Sequence, residues 1–241
     1  MNILITGGSS GLGKAIVERL LNDERNHILF TYYRHSEEAV RLTGMSANIQ
    51  AFKCNFCDEE DVERLIEEIA LYKPDVLVNN AYVGFAQGKH FHKTSSADFE
   101  ESFRYNLIPT IRITQACINE FKKRKFGKII NILTTALLNL PPIGYAIYAS
   151  NKAYLQQLSK SWNTEYSKYN ITANCVSPEF MQTNLSAEVD ERVVEQLSNS
   201  HPLHCLLTPQ EVAETVTYFV YASQQINGVN IPINAGQDII K

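Results

Sequence analysis

Thr6-Gly7-Gly8-Ser9-Ser10-Gly11-Leu12-Gly13 is the stretch from which the rest of the chain is read. Ahead of it, Asn2-Ile3-Leu4-Ile5 is an apolar run of the kind that forms a buried strand. Behind it, Leu12, Ile16 and Leu20 recur every four residues, with Val17 and Leu21 alongside, which predicts a helix packed along one face. The glycines therefore stand on a strand-to-helix turn. Such a turn offers a dinucleotide's pyrophosphate the unpaired N–H groups and positive dipole end of a helix. Glycine lets the backbone come close and take positive φ. The spacing is Gly-x-x-x-Gly-x-Gly, distinct from the Gly-x-Gly-x-x-Gly of the common fingerprint.

Working outward, residues 27–32, 49–54, 76–78, 128–133, 172–176 and 229–233 read as further strands. Between them lie helical patterns. Ser36 opens one with Glu37 and Glu38 in its first turn, and Asp58 caps another striped by Val62, Leu65, Ile66 and Ile69. Two helical stretches are expected over 99–121, closed by Gly127, and others over 148–166, near 189–197 and from Pro209. Apolar strands alternating with helices predict an α/β fold. The expected form is a single doubly wound domain over 1–241, with a seven-stranded, mainly parallel sheet and helices on both faces. Its ligand belongs at the carboxyl ends of the strands. The polar segment 179–207, with Met181, Leu185 and Leu197, is expected to form a substrate lid.

Composition narrows the function. The net charge is −4, and the one basic run, Lys122-Lys123-Arg124-Lys125, suits a helix C-terminus, so no nucleic-acid partner is expected. No apolar run reaches the roughly 20 residues of a membrane span, and the first strand starts at once, leaving no room for a signal peptide. Five cysteines without framework spacing suggest free thiols and a cytoplasmic location. Cys54 and Cys57 lack two further ligands in sequence reach and no histidine pair has a partner, so no metal is expected.

Several polar groups fall at the predicted strand ends: Asn79-Asn80-Ala81, Thr134-Thr135, and Tyr148-Ala149-Ser150-Asn151-Lys152 opening a helix. Tyr148 and Lys152 are four apart and share a helix face. A phenol beside an ammonium is a usable acid–base pair, because the cation stabilises the phenolate. Together with Tyr105-Asn106-Leu107, Pro178, Thr183 and Ile226-Asn227-Gly228-Val229-Asn230-Ile231, these pieces resemble the short-chain dehydrogenase/reductases over nearly the whole length. Among them the chain looks most like the 3-oxoacyl-[acyl-carrier-protein] reductases.

The resemblance implies a Rossmann-type domain and a set of roles. Tyr148 exchanges the proton with a carbonyl or alcohol oxygen, Lys152 holds the nicotinamide ribose and tunes Tyr148, and Asn106 supports a water linking Lys152 to solvent. A hydroxyl after the fifth strand bonds the substrate oxygen. Strand register selects Thr134 for this role, whereas counting back from Tyr148 selects Thr135. Register carries more weight than loop length. Cofactor contacts are implied for Gly7, Ser9, Ser10, Gly11, Leu12, Gly13, Tyr33, Arg34, Ser36, Asn55, Phe56, Asn80, Ala81, Tyr148, Lys152, Pro178 and Thr183. Departures from the family pattern are Tyr82 and Glu179 in place of glycines and Asn55 in place of an aspartate.

Cofactor choice rests on Phe30-Thr31-Tyr32-Tyr33-Arg34-His35-Ser36, which lacks the acid that would bind a ribose 2′-hydroxyl. Arg34 and Ser36 suit a 2′-phosphate, which favours NADP over NAD. The expected function is hydride transfer between NADP and a small-molecule carbonyl or secondary alcohol. The alternative is a cofactor-binding sensor without turnover. A homodimer or homotetramer is implied, pairing helices over 111–121 and 153–166, with Leu155, Leu158 and Trp162 assigned either to that surface or to the core. Ile239-Ile240 would join a second interface.

Overall fold

Alternation along each strand decides how the layers stack. In β1 (Asn2–Ile5), Ile3 and Ile5 enter one hydrophobic cluster and Leu4 the other. In β4 (Val76–Asn79), Val76 and Val78 side with the first and Leu77 with the second. In β5 (Gly127–Ile132), Ile130 and Ile132 do the same against Ile129. A sheet apolar on both faces needs helices on both. α1 (Gly11–Leu20), α2 (Ser36–Thr43) and α7 (Pro209–Tyr221) bury residues in the first cluster. α3 (Glu59–Tyr72) and α4 (Ser96–Arg124) bury residues in the second.

The computed structural model describes residues 1–186 and 189–237. The remaining strands are β2 (His27–Tyr32), β3 (Ile49–Lys53), β6 (Ile171–Pro178) and β7 (Asn230–Ile233). α5 (Ala146–Tyr166) joins β5 to β6, and α6 (Glu191–Ser200) stands in the insertion after β6. The seven strands order as β3-β2-β1-β4-β5-β6-β7, and every pairing is parallel. The order reverses between β1 and β4. That switch point opens a crevice above their carboxyl ends. β7 is an edge strand, where Pro232 removes a donor at little cost.

Two expectations change. Residues 99–121 do not form two helical stretches. α4 is one helix of 29 residues that carries Pro109 inside it. The lost hydrogen bond is offset by a buried stripe of Leu107, Ile113, Cys117 and Phe121, and a Ser95–Asp98 capping box starts the helix. Gly127 does not close that helix. Lys125 does, in the left-handed region at φ 52°, and Gly127 opens β5 where a Cβ would lie 2.2 Å from the Phe121 ring. Of the two places open to Leu155, an interface or the core, it takes the core, buried with Leu107 and Leu133, and Trp162 packs partly buried against them. Ile239-Ile240 lies outside the described residues. No helix among the described residues is long and apolar enough to cross a membrane.

Candidate active site

The glycine turn is held from three sides. Gly7 N–H donates to Thr31 Oγ1 at 2.9 Å and Gly8 N–H to the Thr31 carbonyl at 2.8 Å, which ties the turn to β2. Thr6 Oγ1 accepts from the N–H groups of Asn80 and Ala81, both at 3.0 Å. Asn80 Nδ2 donates back to the carbonyls of Thr6 and Gly7 at 2.9 and 3.0 Å. Gly7 and Gly11 have φ of 70° and 50°, and a Cβ on Gly13 would stand 1.9 Å from the Gly7 carbonyl oxygen. These are the constraints that set the glycine spacing. Ser10 caps α1 without a side-chain hydrogen bond, and no acid occupies the first turn. The helix therefore presents bare N–H groups, which fits a pyrophosphate. Ser9 and Leu12 are buried in the turn. Thr183, from the insertion after β6, lies in van der Waals reach of a Cβ built at Gly11.

At the end of β2, Tyr33, Arg34 and Ser36 are exposed. Glu38, one turn into α2, pairs with Lys14 at 2.9 Å and with Arg41, whose hydrogen bond, with that of Lys14, holds its carboxyl down to about 2. Arg34 has no carboxylate partner among the described residues. Asn55 Oδ1 accepts from Cys57 N–H at 3.1 Å, while Phe56 is buried against the second cluster. One lone pair of that oxygen is thus already engaged by its own turn.

The reactive residues meet above β5. Tyr148 and Lys152, on the first turns of α5, are both buried. Lys152 Nζ donates to the Ile132 carbonyl at 2.8 Å and lies 5.6 Å from the centre of the Tyr148 ring. Desolvation lowers Lys152 to about 8. Burial raises Tyr148 well above the ordinary phenol value, helped by Tyr82 and Tyr145, while a hydrogen bond with Thr134 acts the other way. Thr134 is buried, and its Oγ1 accepts from Ala136 N–H at 3.2 Å, which leaves its own proton free to donate. Thr134 is therefore the hydroxyl brought to Tyr148. Thr135 turns into a short 3-10 helix, Thr135–Leu137.

Asn106 lines the same cavity as Tyr148. Its Oδ1 accepts from Val83 N–H at 2.6 Å, and its Nδ2 donates to the carbonyls of Ser102 and Val83 at 3.0 and 3.2 Å. Its side chain fixes the loop after β4. Motif reading did not single out Ser102, Tyr145 or Asn151 as site residues. Yet the Tyr145 ring packs on Tyr148 at 5.7 Å, and Asn151 Nδ2 donates to Ser102 Oγ at 2.9 Å. The spacing of Asn151 beside Lys152 and of Tyr145 one turn before Tyr148 was their only signal. Tyr82, noted as a departure, meets the Tyr148 ring at 5.0 Å and 80°. Its φ is not positive, so the missing glycine costs no backbone strain here.

Three loops close over this group. Gly88 N–H donates to the Gly144 carbonyl at 3.0 Å, joining the β4–α4 and β5–α5 loops. Ala86 N–H donates to the Leu185 carbonyl, in the segment after β6, at 3.4 Å. A cavity of about 320 Å³, lined by Tyr82, Ser102, Asn106 and Tyr148, lies beneath the first loop. Across the segment after β6, Glu179 Oε2 pairs with buried His201 Nε2 at 3.4 Å. His201 Nδ1 accepts from Leu203 N–H at 3.1 Å, which puts the ring proton on Nε2, facing the carboxylate. Pro178 ends β6 beneath them.

Comparison with known proteins agrees with this arrangement. The family model for short chain dehydrogenase matches residues 1–194. A 3-oxoacyl-[acyl-carrier-protein] reductase, FabG, of Aquifex aeolicus is 30% identical, covering 97% of this chain and 95% of the relative. The reductase MabA of Mycobacterium bovis is 29% identical over 98% of this chain and 92% of its own. A solved structure of ElxO with NADP bound superposes with a TM-score of 0.85 at 27% identity, covering 98% of each chain. A glycine turn with a bare helix end, a buried tyrosine–lysine pair and this match over most of the chain leave one conclusion. The protein belongs to the short chain dehydrogenase family and is an oxidoreductase that works with a nicotinamide cofactor.

Proposed function

We propose that the protein is an NADPH-dependent reductase of a small carbonyl compound, working as one domain over 1–241 with 179–207 as its lid. The observation that carries this reading is a buried, protonated Tyr148 placed between a buried Lys152 and the Thr134 hydroxyl. A bound nicotinamide supplies the hydride. Tyr148 gives its phenolic proton to the carbonyl oxygen, and Thr134 Oγ1 donates a hydrogen bond to the same oxygen. The Lys152 cation then steadies the phenolate left behind. Having spent one N–H on Ile132, Lys152 keeps two for the nicotinamide ribose hydroxyls. The N–H groups at Gly11 to Gly13 hold the pyrophosphate, with Ser9 and Ser10 beside them. Asn55 and Phe56 flank the adenine, and Asn80, Ala81, Pro178 and Thr183 line the nicotinamide side.

Preference for NADPH rests on Arg34, which is exposed and unpaired at the end of β2, with Ser36 beside it. ElxO, whose structure holds NADP, supports it. A 3-oxoacyl thioester is the first substrate to try, since FabG and MabA are reductases of that class. A homo-oligomer, as dimer or tetramer, is part of the same reading, with Ile108 and Tyr154 as the exposed apolar residues of α4 and α5. The test is oxidation of NADPH and NADH with an acetoacetyl thioester and a panel of ketones and keto-sugars.

A further inference from the structure

Tyr82 stands where the resemblance expects a glycine, and its ring occupies the space beside both members of the acid–base pair. Lys152 Nζ lies over that ring, 5.3 Å from its centre. The Tyr148 ring meets it at 5.0 Å with the planes 80° apart. At the far end of the ring, the hydroxyl lies 3.5 Å from Asn151 Nδ2 and also hydrogen-bonds with Ser102. Asn151 Nδ2 donates in turn to Ser102 Oγ at 2.9 Å, so α4 and α5 together hold the hydroxyl. A cation within about 6 Å of a ring face is attracted by the ring quadrupole, more strongly where water is excluded. Lys152 is buried in that way.

We propose that Tyr82 is a positioning residue of the acid–base pair, its ring face holding the Lys152 ammonium beside Tyr148 and its hydroxyl fixing the ring through Ser102 and Asn151. The proposal rests on the reading of Tyr148 and Lys152 as proton donor and cation. The surroundings support an aromatic rather than an ionic partner. Lys152 faces Tyr82 from the β4–α4 loop, Tyr148 from its own helix and the Ile132 carbonyl from β5. Tyr145 reaches only Tyr148. Asp98, Glu101, Ser102, Tyr105 and Asn106 of α4 line the cavity with Tyr82, as does Lys89 from the loop before it. No carboxylate acts on Lys152 among the described residues. With no counter-ion, the Ile132 carbonyl and the Tyr82 and Tyr148 rings offset desolvation of the cation, and Tyr82 is the nearer of the two rings. Removing it lowers the pH at which Lys152 loses its proton.

The experiment is a pH titration of the protein labelled with 13Cε-lysine, the Lys152 signal being assigned by its loss in Lys152→Arg. Four proteins are compared: wild type, Tyr82→Phe, Tyr82→Leu, and a protein with pentafluorophenylalanine incorporated at position 82. The last keeps the shape of phenylalanine and reverses the sign of the ring quadrupole, so it separates attraction from mere exclusion of water even if the leucine variant fails to fold. Wild type should titrate at about 8. Tyr82→Phe should stay close to it, and the fluorinated protein should titrate about half a unit to one unit lower. Phenylalanine and pentafluorophenylalanine proteins titrating together would overturn the proposal. So would a Tyr82→Phe midpoint as low as that of a folded Tyr82→Leu. Turnover is followed beside the titration. Titrations as expected in a protein without turnover would count against the reductase reading and leave only the hold of the Tyr82 ring on Lys152 standing.

Discussion

Lys152 Nζ lies 5.6 Å from the centre of the Tyr148 ring, one turn further along α5, and is held there by the Ile132 carbonyl at 2.8 Å. Both side chains are buried, so each pays for desolvation in the opposite sense. Tyr148 holds its proton more tightly than a free phenol, and Lys152 holds its proton less tightly than a free amine. At neutral pH that leaves a neutral acid beside a cation, the pairing that proton donation to a carbonyl requires.

Thr134 and Thr135 are adjacent and chemically identical, and only Thr134 faces Tyr148. Thr134→Ala should lower kcat by about tenfold to a hundredfold through loss of the donor to the developing oxyanion. Thr134→Ser should recover most of it, and Thr135→Ala should change it less than about threefold. Steady-state kinetics of the three variants check this.

Arg34 is the charge that distinguishes the two cofactors. Arg34→Glu should raise KM for NADPH by about tenfold to a hundredfold, the worth of a charge-assisted contact to a phosphate. KM for NADH should change far less. Equal effects on both cofactors would remove the 2′-phosphate from its role.

Lys152 also makes a stability prediction. Its folded-state value of about 8 is below the 10.5 of a free lysine, so between those pH values the unfolded chain binds more protons. Stability contributed at this site therefore rises with pH across that window. Relative to wild type, Lys152→Met should raise Tm at pH 7 by roughly 2–4 °C, and the gain should fade towards pH 10.5. Paired thermal melts across pH give the difference curve.

The Glu179–His201 pair ties the end of α6 to the end of β6, and on the proposed reading it anchors the lid. His201→Ala should speed amide hydrogen exchange in α6 while leaving β6 unchanged, and it should raise KM for the carbonyl substrate by about threefold to tenfold, with kcat less affected. Unchanged exchange in α6 would mean that the lid is held by other contacts.

Much of the fold was legible because its signals are local. The glycine turn, the Asp58 cap that accepts from Glu60 N–H and the unbroken apolar strands each follow from neighbouring residues. Tyr148 and Lys152 were legible because four residues span one helical turn. The two helical stretches expected over 99–121 are one helix, since tertiary burial of α4 outweighs the hydrogen bond missing at Pro109. Gly127 misled because its smallness serves the Phe121 ring rather than a turn. The hydrogen bonds of the Asn106 side chain with Val83, 23 residues away, were beyond any spacing rule. Tyr82 and Glu179 looked like losses of glycine. Their partners, Lys152 and His201, lie 70 and 22 residues further on, where no spacing rule reaches.

The most direct measurement is NADPH consumption by wild type and Tyr148→Phe on the carbonyl panel, with cofactor affinity measured on both. Wild type should turn over, and the variant should lose about a hundredfold or more in kcat while binding NADPH within about threefold of wild type. Equal turnover by the two proteins would contradict Tyr148 as the proton donor, and with it the account of the site.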